Sequence, residues 1–483
     1  MTVPPSIVWL RQDLRLADNP ALRAASAQGG KVLPLYVLDD ANAGAWKPGG
    51  AARWWLHHSL AALARDLGSR GAPLCLRRGD AAEILPCLAA ETGATAVYWN
   101  RCYEPHAIAR DKALKARLRE SGLTVESFNG SLLFEPWEIR TGSGGPYKVF
   151  TPFWKAMLAA PAPPAPEPAP ETIDGLKGVE SERLEDWDLL PSKPDWAGGL
   201  RDSWTPGEAG AAARLQAFLD EAAGAYGARR DRLDEPATSR LSPHLHWGEV
   251  SPKQVWQAGQ QAIAAGTAKE DGVMGFLRQL GWRDFSHVLL YHWPDFAERS
   301  WRPEFDGYPW RDDEAGFAAW CRGRTGYPIV DAGMRELWHS GWMHNRVRMI
   351  TASFLVKHLL IPWQRGEAWF WDTLVDADLA NNAAGWQWVA GSGADASPYF
   401  RIFNPITQGE KFDPEGRYVR RWVPEISKLP GTYLNKPWEA PAPVLEEAGI
   451  VLGETYPKPI VDHKAARARA LGGYEDMKKA ASA

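Results

Sequence analysis

Five short apolar segments constrain the first part of the chain more than any other feature. They read SIVWL (6–10), KVLPLYVLD (31–39), APLCLRR (72–78), ATAVYWN (94–100) and TVESFN (124–129). Helix-like stretches such as AARWWLHHSLAALARDLGSR and PHAIARDKALKARLRESG lie between them. Strands that alternate with helical crossovers pair in parallel, and the helices then cover both faces of the sheet. Residues 1–130 are therefore expected to form a Rossmann-like α/β domain with a parallel sheet. No G-x-G-x-x-G follows the first strand, so a nicotinamide dinucleotide site is not expected.

The pattern then changes twice. PAPPAPEPAP (161–170) denies the backbone its donors and reads as a polyproline-type spacer. It falls within 131–205, which we read as an interdomain linker. From residue 206 onward the periodicity is helical, as in EAGAAARLQAFLDEAAGAYGARRDRL and MGFLRQLGWRDFSHVLLYHW. Residues 206–483 are expected to be an all-α domain.

Composition narrows the chemistry. Net charge is −4, which disfavours a broadly basic nucleic-acid coat and leaves room for a local basic groove. No apolar run reaches membrane-spanning length, and MTVPPSIVWLRQDLR lacks the basic and apolar regions of a secretory signal. Four scattered cysteines, Cys75, Cys87, Cys102 and Cys321, form no C-x-x-C pair, which suits a reducing cytoplasm. The outlier is tryptophan, at 26 residues. Most are expected in the core, but such a count raises the question of flat ligands or electron transfer.

Three constellations carry chemistry. In DEPATSRLSPHLHWGEVSP (234–252), hydroxyls crowd around Arg240 just before a helix-like run. Hydroxyls, a guanidinium and a helix start suit a phosphate, although a helix cap explains any one hydroxyl alone. In GWMHNRVRMITASFL (341–355), helical spacing puts Asn345, Arg348 and Met349 on one face. That set suits a planar heterocycle, while His344 is expected to be structural. In DADLANNAAGWQW (376–388), Asp376 and Asp378 have no histidine or third carboxylate at ligand spacing, so no metal is expected. GSGADA (391–396) follows no strand and is discounted as a nucleotide loop.

Together these stretches resemble the photolyase/cryptochrome family. The likeness runs from IVWLRQDLRLADNPAL to PKPIVD and includes TSRLSPHLHWGEVSP, GRTGYPIVDAGMRELWHSGWMHNRVRMITASFLVKHLL and PYFRIFNPITQGEKFDPEG. It implies an antenna domain followed by a helical FAD-binding domain. By resemblance, Tyr226 and the run Thr238, Ser239, Arg240, Leu241 and Ser242 contact the flavin phosphates. Asn345, Arg348, Asp376, Ala377 and Asp378 contact the ribityl chain and ring system, and Asn382 faces flavin N5. Trp386, Trp363 and Trp310 match the family's electron-transfer chain.

The resemblance also implies light-driven repair of cyclobutane pyrimidine dimers in UV-damaged DNA, most like bacterial enzymes related to plant cryptochromes. Asn345 and Met349 stand where enzymes acting on (6-4) lesions carry histidines; neither can serve as a general acid. Asn382 replaces the acid that plant cryptochromes usually place at N5. Trp388 stands where those receptors tend to lack tryptophan. Trp282 and Trp388 would flank a flipped dimer, beside Gln279, Asn345 and Met349. Gln279 departs from the glutamate common in dimer photolyases. Arg230, Arg346 and Arg401 would hold DNA phosphates. The antenna pigment is expected to be a reduced folate (methenyltetrahydrofolate), ahead of a deazaflavin. A monomer is expected. The alternatives are a blue-light receptor without repair activity and, behind it, a (6-4) photolyase; only a short stretch follows PKPIVD to serve as a signalling tail.

Overall fold

The computed structural model describes residues 3–396 and 400–482. Two compact units emerge. One comprises residues 1–227, 238–294 and 375–380, and the other 228–237, 295–374 and 381–483.

The first unit is built on five strands: β1 (Ser6–Leu10), β2 (Val32–Leu38), β3 (Cys75–Arg78), β4 (Ala96–Asn100) and β5 (Thr124–Phe128). They form one parallel sheet in the order β3-β2-β1-β4-β5. Every residue of β1, β2 and β4 is buried. Continuous apolar strands of this kind belong to a sheet covered on both faces. One side of the sheet packs Trp9, Leu35, Val97 and Trp99 into the core, and the Trp9 and Trp99 rings meet edge to face at 5.7 Å.

At the carboxyl ends of β1 and β4, where strand order reverses, open sheets commonly bind ligands. Here the ends are tied by side chains. Asn100 donates to Asp13 (2.6 Å) and to Asn19 (2.8 Å), and Arg11 pairs with Asp111 at 2.8 Å. Residues 161–170 carry no regular structure, in keeping with their prolines. The same unit also contains the long helix Glu270–His292, with Glu270 and Asp271 in its first turn and His292 in its last, matching the helix dipole.

In the second unit all regular structure among the described residues is helical. Helix Asn345–Ser353 runs into a π-helical turn, Phe354–His358, and helix Trp363–Thr373 follows. Lys357 is 1% exposed; its ammonium donates to the Ala390 carbonyl, and burial lowers its pKa well below the ordinary value. Among the described residues no helix is long and apolar enough to cross a membrane.

Candidate functional site

In the first unit, the Thr238–Ser242 segment turns sharply. Arg240 adopts φ +52°, in the left-handed region, and its guanidinium lies 4.6 Å from the Trp204 ring centre. The helix that follows, Ser242–His246, is only five residues long. Its dipole is correspondingly slight, so any phosphate affinity rests on the hydroxyls and Arg240.

Two features anchor this segment. Gly248 has φ +66°, and a Cβ there would sit 2.1 Å from the Gln12 carbonyl oxygen, so only glycine fits. Glu249, fully buried, accepts from Trp55 Nε1 at 3.0 Å and Gly207 N at 2.7 Å through one oxygen, and meets His244 Nδ1 through the other.

Asp376, Ala377 and Asp378 are all buried. Trp247 Nε1 donates to the Val375 carbonyl at 3.2 Å and fixes the approach to them. Asp378 Oδ2 lies 3.4 Å from His287 Nε2 and 3.8 Å from His246 Nδ1. Burial alone would raise the Asp378 pKa. The charge of His287, held against it at 3.4 Å, outweighs burial and holds the carboxyl well below the ordinary value. Burial likewise acts to lower the His287 pKa, but Asp378 prevails and raises it.

Tyr226 packs edge-on against Phe218 and Phe276. Trp282 stacks on Phe150 with ring centres 3.6 Å apart and planes 11° from parallel. One indole face is thereby braced. One residue earlier, a side chain at Gly281 would meet the Trp154 ring at 2.4 Å. Gln279, on the same helix, donates its amide back to the Gly275 carbonyl at 3.1 Å.

In the second unit, His344 caps helix Asn345–Ser353. Its Nδ1 accepts from Arg346 N at 3.1 Å, and its Nε2 donates to the Arg230 carbonyl at 2.9 Å. Burial pushes its pKa down to about 4, which preserves the neutral form that this cap requires. Asn345 Nδ2 approaches Met349 Sδ at 3.9 Å, one turn on. Arg348 donates to the Met343 carbonyl at 2.8 Å.

Arg346 and Arg401 line a cavity of about 410 Å³ with Arg232, Lys411, Asp231 and Phe412. Arg346 pairs with Asp231 at 2.9 Å and lies over the Phe412 ring at 4.5 Å. Arg230 is not among the described residues that line this cavity. Arg232 and Lys411, which the sequence did not single out, supply two of its four cations. Their spacing carried no motif.

Asn382 lies on helix Leu379–Ala390, and its amide nitrogen donates to the Glu367 carbonyl at 3.1 Å, which directs its side-chain oxygen elsewhere. The Glu367 carboxyl is buried, and desolvation, reinforced by Glu298, raises its pKa well above the ordinary value. Trp363 is fully buried, Trp386 is nearly so, and Trp310 and Trp388 are half-buried. Trp363 donates to Ser300 Oγ at 3.3 Å and Trp310 to the Phe305 carbonyl at 3.1 Å. Helix Trp363–Thr373 passes Trp386 at Gly366, where an added Cβ would lie 2.1 Å from the indole.

The family model described as DNA photolyase matches residues 6–171, and that described as the FAD binding domain of DNA photolyase matches residues 276–476. A deoxyribodipyrimidine photo-lyase of Agrobacterium fabrum is 56% identical, with 98% of each chain covered. Cryptochrome-1 of Arabidopsis thaliana is 42% identical over 96% of this chain and 69% of its own length. The crystal structure of a bacterial class III photolyase from Agrobacterium tumefaciens superposes with a TM-score of 0.96 at 55% identity, covering 99% of this chain and 98% of that one. A parallel-sheet domain joined to a helical FAD-binding domain defines a flavoprotein of the photolyase type. The chain belongs to the photolyase/cryptochrome family.

The residues fit FAD. Thr238, Ser239, Arg240 and Ser242 bring hydroxyls and a guanidinium suited to a diphosphate. Asp376 and Asp378 offer buried carboxylate acceptors, and the Trp386 Nε1 donor is buried with no hydrogen-bond partner among the described residues.

Proposed function

We propose that this chain repairs cyclobutane pyrimidine dimers in UV-damaged DNA under blue light. The observation that carries the reading is the Asn345–Met349 pair on one helical turn. An amide and a thioether offer no general acid, so this turn suits a lesion that splits by electron transfer and not one that requires proton donation. When bound, FAD in its reduced form supplies the light-driven electron, and this chemistry belongs to the cofactor.

The side chains bind, orient and conduct. In the first unit, Tyr226 and Thr238, Ser239, Arg240, Leu241 and Ser242 hold the flavin phosphates, while Asp376, Ala377 and Asp378 hold its ribityl and ring donors. Asn345 and Arg348 also contact the ribityl chain and ring system. Asn382 presents an amide at N5 that is not an acid. Trp386, Trp363 and Trp310 carry electrons inward when the flavin must be reduced. Trp282 and Trp388 offer stacking surfaces to the flipped dimer, and Gln279 and Met349 complete its pocket. Arg230, Arg346 and Arg401 bind DNA phosphates, with Arg232 and Lys411 adding charge at the cavity. Along the chain, the antenna domain covers residues 1–130, a linker 131–205 and the FAD-binding domain 206–483, although close packing groups 206–227, 238–294 and 375–380 with the first unit. A reduced folate serves as antenna, and the protein acts as a cytoplasmic monomer.

The test is to mix reduced protein with dimer-containing thymine oligomers under blue light and follow recovery of thymine absorbance. Light-dependent recovery is expected. Normal flavin photoreduction without recovery would instead support the receptor reading, which the 42% identity to a plant cryptochrome keeps in view. The brace at Phe150 makes Trp282 a rigid platform. Trp282→Ala is expected to weaken binding of dimer-containing DNA by about 1–3 kcal/mol, the scale of one base–aromatic stack. Equal affinity in a gel-shift titration would remove Trp282 from the pocket.

A further inference from the structure

Two buried histidines of the first unit, His246 and His287, serve no step described so far. His287 presents both ring nitrogens to acceptors: Nδ1 faces the Arg283 carbonyl at 3.0 Å, and Nε2 faces Asp378 Oδ2 at 3.4 Å. A neutral imidazole donates from one nitrogen only, whereas an imidazolium donates from both. His246 Nδ1 lies 3.8 Å from the same carboxylate oxygen, beyond hydrogen-bond reach, and is buried without a hydrogen-bond partner among the described residues. His246 and His287 are each 7% exposed, and Asp378 is 8% exposed. A carboxylate this deep is costly unless a cation is held against it.

We propose that His287 is a positioning residue: as an imidazolium, aided by His246, it keeps Asp378 ionised and aimed as a hydrogen-bond acceptor for an N–H or O–H donor of bound FAD. This rests on the placement of Asp378 at the flavin proposed above.

Other charged groups also face His287. Arg283, one turn back on the same helix, opposes its protonation, and its guanidinium is engaged by the Ser131 and Leu245 carbonyls. The Asp284 carboxyl on the same helix accepts from Leu133 N and Phe134 N. The Tyr103 ring packs edge-on against His287 at 6.0 Å while its hydroxyl donates to Glu135. Only Asp378 offers His287 Nε2 a carboxylate among the described contacts. The net effect raises the His287 pKa above the usual 6.5. The sign follows from linkage. A raised histidine contributes fully below pH 6.5, and its contribution is lost as pH rises through the raised value. The lowered Asp378 contributes above the ordinary carboxylate value of 3.8, and its contribution is lost as pH falls through the lowered one.

The experiment measures FAD release by flavin fluorescence from the full chain, from mildly acidic to mildly alkaline pH. The wild type is expected to hold FAD through neutrality and to weaken as pH rises through the His287 titration. His287→Gln should bind FAD about tenfold more weakly and lose that alkaline step, one pKa unit of coupling being a factor of ten. His287→Arg, a permanent cation, should restore affinity and also lose the step. His287→Gln with wild-type affinity and an unchanged step would overturn the proposal. Asp378→Asn separates the two layers: unaltered FAD binding there defeats the placement of Asp378, whereas loss there with no effect in His287→Gln defeats the role of His287 alone. Histidine-selective NMR of the wild type needs no folded variant. A His287 midpoint above 6.5 supports the imidazolium and one below it overturns it.

Discussion

Glu249→Ala is expected to destabilise the first unit by about 3–5 kcal/mol, the cost of removing one partner from a buried charged network. The carboxylate is fully buried and receives Trp55 Nε1, Gly207 N and His244 Nδ1. Alanine would leave an indole donor, a backbone donor and an imidazole without their acceptor in a space closed to water. Glu249→Gln keeps one oxygen for Trp55 and Gly207, so it should cost markedly less. Urea unfolding followed by near-UV circular dichroism distinguishes them. Equal midpoints for the alanine and glutamine variants would contradict the network. Because Glu249 anchors the chain just after Thr238–Ser242, the alanine variant should also release FAD more readily at urea concentrations where it remains folded.

Gly366→Ala is the second large effect. A methyl group at this position would lie 2.1 Å from Trp386 Cη2, 2.5 Å from Cζ3 and 2.6 Å from a Leu355 methyl. None of these neighbours has room to retreat: the Trp386 ring is boxed by Phe370 at 5.0 Å and Trp320 at 6.2 Å. Overpacking a filled core costs about 1–3 kcal/mol and displaces side chains. Here the displaced group is the first member of the proposed electron path. Slower photoreduction of oxidised flavin is therefore expected even where FAD is retained, measured as bleaching of its blue absorbance under light with an external reductant. Trp386→Phe, which removes the oxidisable indole, should block photoreduction more completely. Photoreduction of Gly366→Ala at the wild-type rate would show that the indole tolerates the methyl group.

The sequence made the architecture legible for local reasons. Apolar runs at 6–10, 31–39, 72–78, 94–100 and 124–129 each contain a strand of the sheet, displaced by no more than three residues at either end. A run of that length flanked by polar turns has few other ways to bury itself. The prolines of 161–170 exclude regular structure through the backbone alone, and the helical periodicity after 206 persists because amphipathic helices need no distant partner to declare their period. Asn345 and Met349 were also visible together, since one helical turn brings them side by side.

Tertiary structure decided what depends on contacts between distant segments. Trp55 and Glu249 are 194 residues apart, and neither sits in a pattern that announces the other. His287 reads as one more residue of an apolar helix until Asp378 is set against its Nε2. Gly366 looks like a weak point in a helix, yet it is the gap through which Trp386 packs. Likewise, Arg232 and Lys411 acquire a common purpose only where the fold gathers them around one cavity with Arg346 and Arg401. Chain stiffness and hydrophobic period act over a few residues and so are written locally. Charge compensation and close packing act across space, and the residues that satisfy them are chosen by the fold.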